Sequence, residues 1–183
     1  VSSMLEDIAE LNQHIGLTGD RHLVPFSPIH IRMMEIGPFE LEYLNRLGSY
    51  AQILEAYAQM GHAYTGVVSG KPVCCFGCIR LWPGVSEMWM LPSTGLRSVA
   101  MTFHRAAMRW LTVVMDEMEL VRIQATVHTA NRRALKWIES LNLECEGTLR
   151  AFGPEGADYK MYSRLSDGRT FQLTENATPA ART

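Results

Sequence analysis

Cysteine is the residue whose spacing first suggests chemistry. Cys74, Cys75 and Cys78 crowd one stretch, and a fourth stands at Cys145. Cys75 and Cys78 form a CxxC pair, the spacing of zinc ligands and redox dithiols. The surrounding residues PVCCFGCIRLW read as a strand, where positions three apart face opposite sides of a sheet. The pair is therefore expected to hold neither a shared metal nor a bond, and to consist of buried thiols in a reducing compartment. Ser93 and Ser98 have no patterned His and Asp partners, so a hydrolase triad is not expected. His104 lies beside Arg105 on what reads as the solvated side of a long helix. Asn131 stands where a helix begins, and Glu87 sits in a short apolar strand.

These side chains need elements to position them. Residues 131–141 read as a helix, with Ala134, Leu135, Trp137, Ile138 and Leu141 on one face and Arg132, Arg133, Lys136 and Glu139 on the other. Thr129 is its expected N-cap and Asn142 its left-handed stop. LECEGTLR and DYKMYSRL follow as two strands around Gly153, Pro154 and Gly156. Upstream, residues 2–15 read as a helix with a capping box at Ser3 and Glu6 and an apolar stripe of Met4, Leu5, Ile8, Leu11 and Ile15. That stripe packs either on its own domain or on another subunit. After a Gly- and Pro-containing connector, Ile29, Ile31 and Met33 alternate with polar residues and predict a first strand over 29–36. Helical pieces are expected over 39–47 and 50–60. A meander of strands follows over 62–69, 73–82 and 85–91. A long helix spans 98–118, and another strand 121–127. The order β, α, α, β, β, β, α, β, α, β, β predicts an α+β mixed sheet.

The 183 residues fit one folded domain, 28–166, preceded by the helix and connector at 1–27 and followed by a polar tail at 167–183. With 47% apolar and 20% charged residues the chain has an ordinary core composition. A formal charge of −2 argues against nucleic acid or an anionic membrane as partner. No apolar run approaches the roughly 20 residues of a membrane helix, and the start does not read as a signal peptide. A cytoplasmic protein is expected.

The order Asn131, Ala134, Leu141, Leu143, Glu146-Gly147, Leu149-Arg150, Asp158, Tyr162, Leu165 closely resembles the C-terminal half of GNAT-superfamily acetyltransferases. Within them it is most similar to the branch that modifies protein N-termini. The resemblance covers about 40 residues and implies a mostly antiparallel mixed sheet with helices on both faces. Its two central parallel strands, here 85–91 and 121–127, would splay apart. It also implies acetyl transfer from acetyl-CoA to an amine or a protein N-terminus, without a metal. The pantetheine arm would pair with the splayed strands near Leu91, and Asn131, a catalytic candidate beside Glu87, would bond that arm or a bridging water. The pyrophosphate would sit on the backbone at Gly95, Leu96, Arg97 and Ser98, where the long helix begins. Asn131 also has the plain reading of a helix-start residue.

Here the sequence departs from the family pattern of Gln or Arg, two residues, Gly, one residue, then Gly or Ala. It reads Pro92-Ser93-Thr94-Gly95-Leu96-Arg97, with Pro92 at the leading position and Arg97 at the second glycine. The guanidinium can pair with a phosphate, or its bulk can close the approach that glycine permits. The tyrosine that many members carry seven residues after the Asn is Ile138 here. Glu87 is the best candidate to take a proton from the amine, beside the plain reading of a strand-edge glutamate. A second resemblance rests on Glu87-Met88-Trp89-Met90 and Asn131. It is to internal virion proteins of short-tailed phages, which keep a GNAT-like C-terminal half without the glycine loop. It implies the alternative of a non-catalytic structural protein of a phage virion. Its partners, or a second copy, would dock on residues 1–15 and the tail.

Overall fold

In a computed structural model of the chain, residues 3–46 and 50–167 are described. The expected tail at 167–183, apart from its first residue, and the join at 47–49 lie outside these residues. Helix α1 (Ile8–Ile15) begins later than the capping box suggested. Asp7 caps it, accepting from the Ala9 and Glu10 amides at 3.1 and 3.0 Å. The Ser3 hydroxyl instead donates to the Glu117 carboxylate at 2.6 Å. Gly16 ends the helix at φ 79°, a left-handed conformation that costs glycine little. Leu5, Leu11 and Ile15 are buried in the chain's own core, so the stripe packs on its own domain.

The first strand is not where alternation predicted it. Strand β1 is Arg21–Pro25, and the expected strand over 29–36 is instead mostly helix α2 (Pro28–Met33). The local reason is an N-terminal signature. Pro28 suits the first helical turn, and His30 Nδ1 accepts from the Ser27 N–H at 3.2 Å. Helices α3 (Pro38–Arg46) and α4 (Tyr50–Gln59) follow, close to expectation. The strands are β2 (Gly61–Val68), β3 (Lys71–Trp82), β4 (Val85–Pro92), β5 (Arg122–His128), β6 (Glu144–Leu149) and β7 (Tyr159–Leu165). Helix α5 (Ala100–Glu117) joins β4 to β5, and α6 (Arg132–Ser140) joins β5 to β6.

Among the described residues, one seven-stranded sheet runs β1-β2-β3-β4-β5-β7-β6. Every neighbouring pair is antiparallel except β4 and β5, which are joined by the long crossover helix and run parallel. At the sheet's centre Gly77 is required. A Cβ there would lie 2.3 Å from the His62 carbonyl oxygen of the neighbouring strand.

The two faces of the sheet have separate cores. On one, Leu11, Ile15, Trp110, Leu111, Val114 and Ile138 of α1, α5 and α6 cover Tyr64, Phe76, Cys78, Ile123 and Tyr162. Aromatic edges interlock there, with Phe76 against Trp110 at 5.2 Å and Tyr64 against Trp110 at 6.4 Å. On the other face, Met34 and Leu54 close over Cys75 and Leu91. Cys75 and Cys78 thus point to opposite faces, with Cys74 beside Cys78, as the strand reading required. No helix among the described residues is long and apolar enough to cross a membrane.

Candidate active site

The parallel pair is short. Strands β4 and β5 are in register only at Val85 with Arg122, Ser86 with Ile123 and Glu87 with Gln124. Beyond that point β4 continues to pair with β3 as far as Pro92, and β5 with β7 as far as His128. Between them a V opens, with its apex at Glu87 and Gln124. The separation begins four residues earlier than the Leu91 expected from sequence. On the facing edges, from Met88 and from Ala125 onward, the backbone N–H and C=O groups have no ladder partner among the described residues. Such groups demand a partner, and an extended polar chain laid into the V would supply one.

Alternation along β4 and β5 then sorts the side chains. Met88, Ile123 and Ala125 enter the core beneath α5, leaving Glu87, Trp89, Gln124 and His128 on the opposite face. A hydrogen-bonded chain crosses that face. Gln124 Nε2 donates to Glu87 Oε2 at 3.1 Å, and Arg122 Nε donates to Gln124 Oε1 at 2.8 Å. The Arg122 guanidinium also forks onto both oxygens of Glu146 at 2.7 and 2.6 Å, and Ser163 donates to Glu146 at 2.6 Å. These donors hold the Glu146 carboxyl down at about 2, hydrogen bonds from Arg122 first and Ser163 second.

Beside Glu87 stands an aromatic wall. Trp89 meets Phe26 edge-on at 5.8 Å and Tyr57 of α4 at 6.3 Å. The Trp89 Nε1–H is buried and has no hydrogen-bond partner among the described residues, so a ligand acceptor placed there would satisfy it. Burial raises the Tyr57 phenol, and the negative charge of Glu87 raises it further. Tyr57 therefore faces the V as a neutral hydroxyl. Farther along, His128 lies between Phe39 at 5.3 Å and Tyr159 at 5.1 Å.

The loop at the top of the V differs from expectation. The long helix begins at Ala100, and residues Thr94–Val99 form a 3-10 turn before it. The Ser93 and Thr94 amides bond to the Val73 and Glu35 carbonyls, each at 2.9 Å, and the Leu96 amide to Ser93 at 3.3 Å. The Ser98 hydroxyl donates to the Gly95 carbonyl at 2.8 Å. Gly95, Arg97 and Ser98 are exposed, while the Leu91 side chain is buried under Met34 and Leu54. Among the described residues the Arg97 guanidinium has no hydrogen-bond or ion-pair partner. Asn131, not Thr129, caps α6, its Oδ1 accepting from the Ala134 amide at 3.1 Å. Thr129 donates instead to the Asp158 carbonyl.

The structure thus brings Glu87 to the apex and leaves Gly95, Leu96, Arg97, Ser98 and Asn131 on the loops that flank the V. Sequence reasoning missed Gln124, Arg122, Trp89, Tyr57 and Phe26 as site residues. The parity of β4 and β5 could have placed Trp89 beside Glu87. The partnership with Gln124 depends on strand register, which no local pattern in the sequence reveals.

No family model matches the sequence, and no curated protein does. Solved structures do match over most of their length. Ard1 from Thermoplasma volcanium is similar with a TM-score of 0.64 and 14% identity, covering 80% of this chain and 98% of that one. A GNAT-family acetyltransferase from Bacillus anthracis gives 0.63 and 14%, covering 80% and 95%. RimL, a ribosomal L7/L12 alpha-N-protein acetyltransferase in complex with coenzyme A, gives 0.60 and 10%, covering 83% and 97%. With the strand order, the lone parallel pair and its splay, these matches identify the fold of the chain as that of the GNAT N-acetyltransferases.

Proposed function

We propose that the chain is an acetyl-CoA-dependent N-acetyltransferase whose acceptor is a primary amine, with the free N-terminus of a protein or peptide as the favoured class. The observation that carries the reading is the V between β4 and β5. Its unpaired backbone edges face each other, and a carboxylate stands at its apex. The amide groups of a pantetheine arm suit those edges. At the top of the V, the exposed and unpartnered Arg97 supports a coenzyme loop in which a guanidinium pairs with the pyrophosphate where the family pattern has glycine. Exposure of that side chain also weakens the idea of a scaffold closed by its bulk.

Acetyl transfer asks for two things on the opposite face. The amine nitrogen attacks the acetyl carbon, the new C–N bond forms, and the C–S bond breaks to release the coenzyme thiolate. An ammonium acceptor loses two protons, of which one ends on the thiol and one in solvent. Glu87 is suited to take the first, because Gln124 occupies only its Oε2. The unpartnered Trp89 N–H, two residues along the same strand face, suits the carbonyl of the acceptor's first residue. A lysine side chain has no carbonyl so close to its amine. The test is mass spectrometry of acetyl transfer from acetyl-CoA to peptides carrying each N-terminal residue, blocked and unblocked, alongside free lysine. Transfer to unblocked peptide N-termini is expected. Transfer confined to lysine side chains would overturn the acceptor class, and no transfer to any amine would overturn the activity.

A further inference from the structure

We infer that Arg122 and Gln124 are positioning residues that aim Glu87 at the acceptor amine. The inference rests on the reading of Glu87 as the proton acceptor of an acetyl transfer. The Arg122 Nε–H can meet only an acceptor, so it dictates which end of the Gln124 carboxamide faces it. With Oε1 so engaged, Gln124 must present its Nε2 protons to Glu87. That fixes Glu87 Oε2 and leaves Oε1, without a partner among the described residues, for the substrate. Arg122 can act in this way because Glu146 holds its other two nitrogens in a fork, with Ser163 steadying Glu146 in turn. A lysine at 122 would keep the charge but could not both fork onto Glu146 and donate through a fixed Nε.

The position of the chain of bonds gives the inference its weight. Glu87 and Gln124 are the last paired residues before the strands part. One step farther, the two side chains would be separated by the opening V. The same bonds could serve only to rivet the apex, and that competing role predicts lost stability with unchanged catalysis.

The experiment compares native protein with Gln124→Met, Arg122→Lys and Glu87→Gln. It measures melting temperature, the melting shift caused by acetyl-CoA, and kcat and KM on the best peptide acceptor. Gln124→Met conserves volume and length, so it is the variant that keeps the fold if Arg122→Lys does not. The expected result for both positioning variants is a kcat lowered roughly tenfold to a hundredfold with the KM for acetyl-CoA unchanged. The acetyl-CoA melting shift should be retained. A lowered melting temperature with unchanged kcat in Gln124→Met would overturn the inference and leave the rivet. Unchanged kcat in Glu87→Gln would remove Glu87 as the acceptor of the proton and the inference with it, while the transferase reading would stand. Absence of any acetyl-CoA shift in the native protein would overturn the transferase reading itself.

Discussion

At the scale of single residues, burial decides what each chemically able side chain does. The three cysteines of β3 carry a CxxC spacing but are buried, as the strand reading expected, and burial pushes the Cys75 thiol up to about 11 and the Cys78 thiol up to about 12. Cys74, fully buried, is raised further. Cys145 is exposed. A thiol reagent at about pH 8 should therefore label one cysteine quickly in the native protein and four after denaturation, because the thiolate is the reactive form. Rapid labelling of two or more would contradict the packing of β3. Glu146 behaves in the opposite sense. Its carboxyl is held at about 2 when folded against an ordinary 4.5, so its contribution is full above the ordinary value and is lost as pH falls from there through the folded value. Replacing it as Glu146→Gln should lower stability to urea at neutral pH. The gap from the native protein should narrow by about pH 3. A gap of the same size at both pH values would mean the pair with Arg122 does not depend on the charge.

Elements show where local pattern was sufficient and where it was not. Helix α6 was legible because its apolar face recurs over two turns, and Ile138 and Leu141 are indeed buried. Only the cap was misplaced, by two residues: Thr129 and Asn131 can both cap a helix, and Asn131, the stronger capping type, does so. The region before α3 was not legible. Ile29, Ile31 and Met33 alternate as strand residues do, yet Ile29 and Met33 are exposed and the segment is helical. Six residues are too few to separate a period of two from one of 3.6. The real β1 buries one residue, Leu23, so it offered no alternation to find. What secures β1 is long-range. The Asn12 side chain of α1 donates to the Leu23 carbonyl at 3.1 Å and accepts from its amide at 2.7 Å. Asn12→Ala leaves both backbone groups without that partner and should cost about 1–3 kcal/mol in chemical denaturation. Leu11→Ala, which empties a fully buried site beneath α5, should cost about 2–5 kcal/mol. Losses below 0.5 kcal/mol (roughly the effect of an ordinary surface change) would show that α1 is not part of the cooperative core.

For the whole molecule, the fold was legible from the order of elements, and the site only in outline. The long helix α5 between β4 and β5 makes the parallel pair of the described sheet, β2-β3, β3-β4 and β6-β7 follow from short connections, and β7 inserts between β5 and β6. Glu87 was singled out because a carboxylate in the β4 position can face the cleft. The chain of bonds that orients it depends on residues 37 and 59 positions away in sequence, Gln124 and Glu146, and such contacts leave no local trace. The loop over 92–98, proposed to hold the coenzyme, stands between these cases. Arg97 was visible as a departure, but whether it closes the loop or reaches a phosphate depends on which way it points and on what it touches.

That question is also the most direct test of the account. A ligand at about 100 times its dissociation constant stabilises a protein by roughly 2.7 kcal/mol. In a chain of this size each kcal/mol moves the melting temperature by roughly 2–4 °C. The measurement is a thermal melt of the native protein and of Arg97→Gly, each with and without saturating acetyl-CoA. The account predicts a rise of several degrees for the native protein and a smaller one for Arg97→Gly, whose phosphate partner is gone. No rise in the native protein would contradict it, and a rise gained only in Arg97→Gly would show that this one side chain closes the coenzyme site.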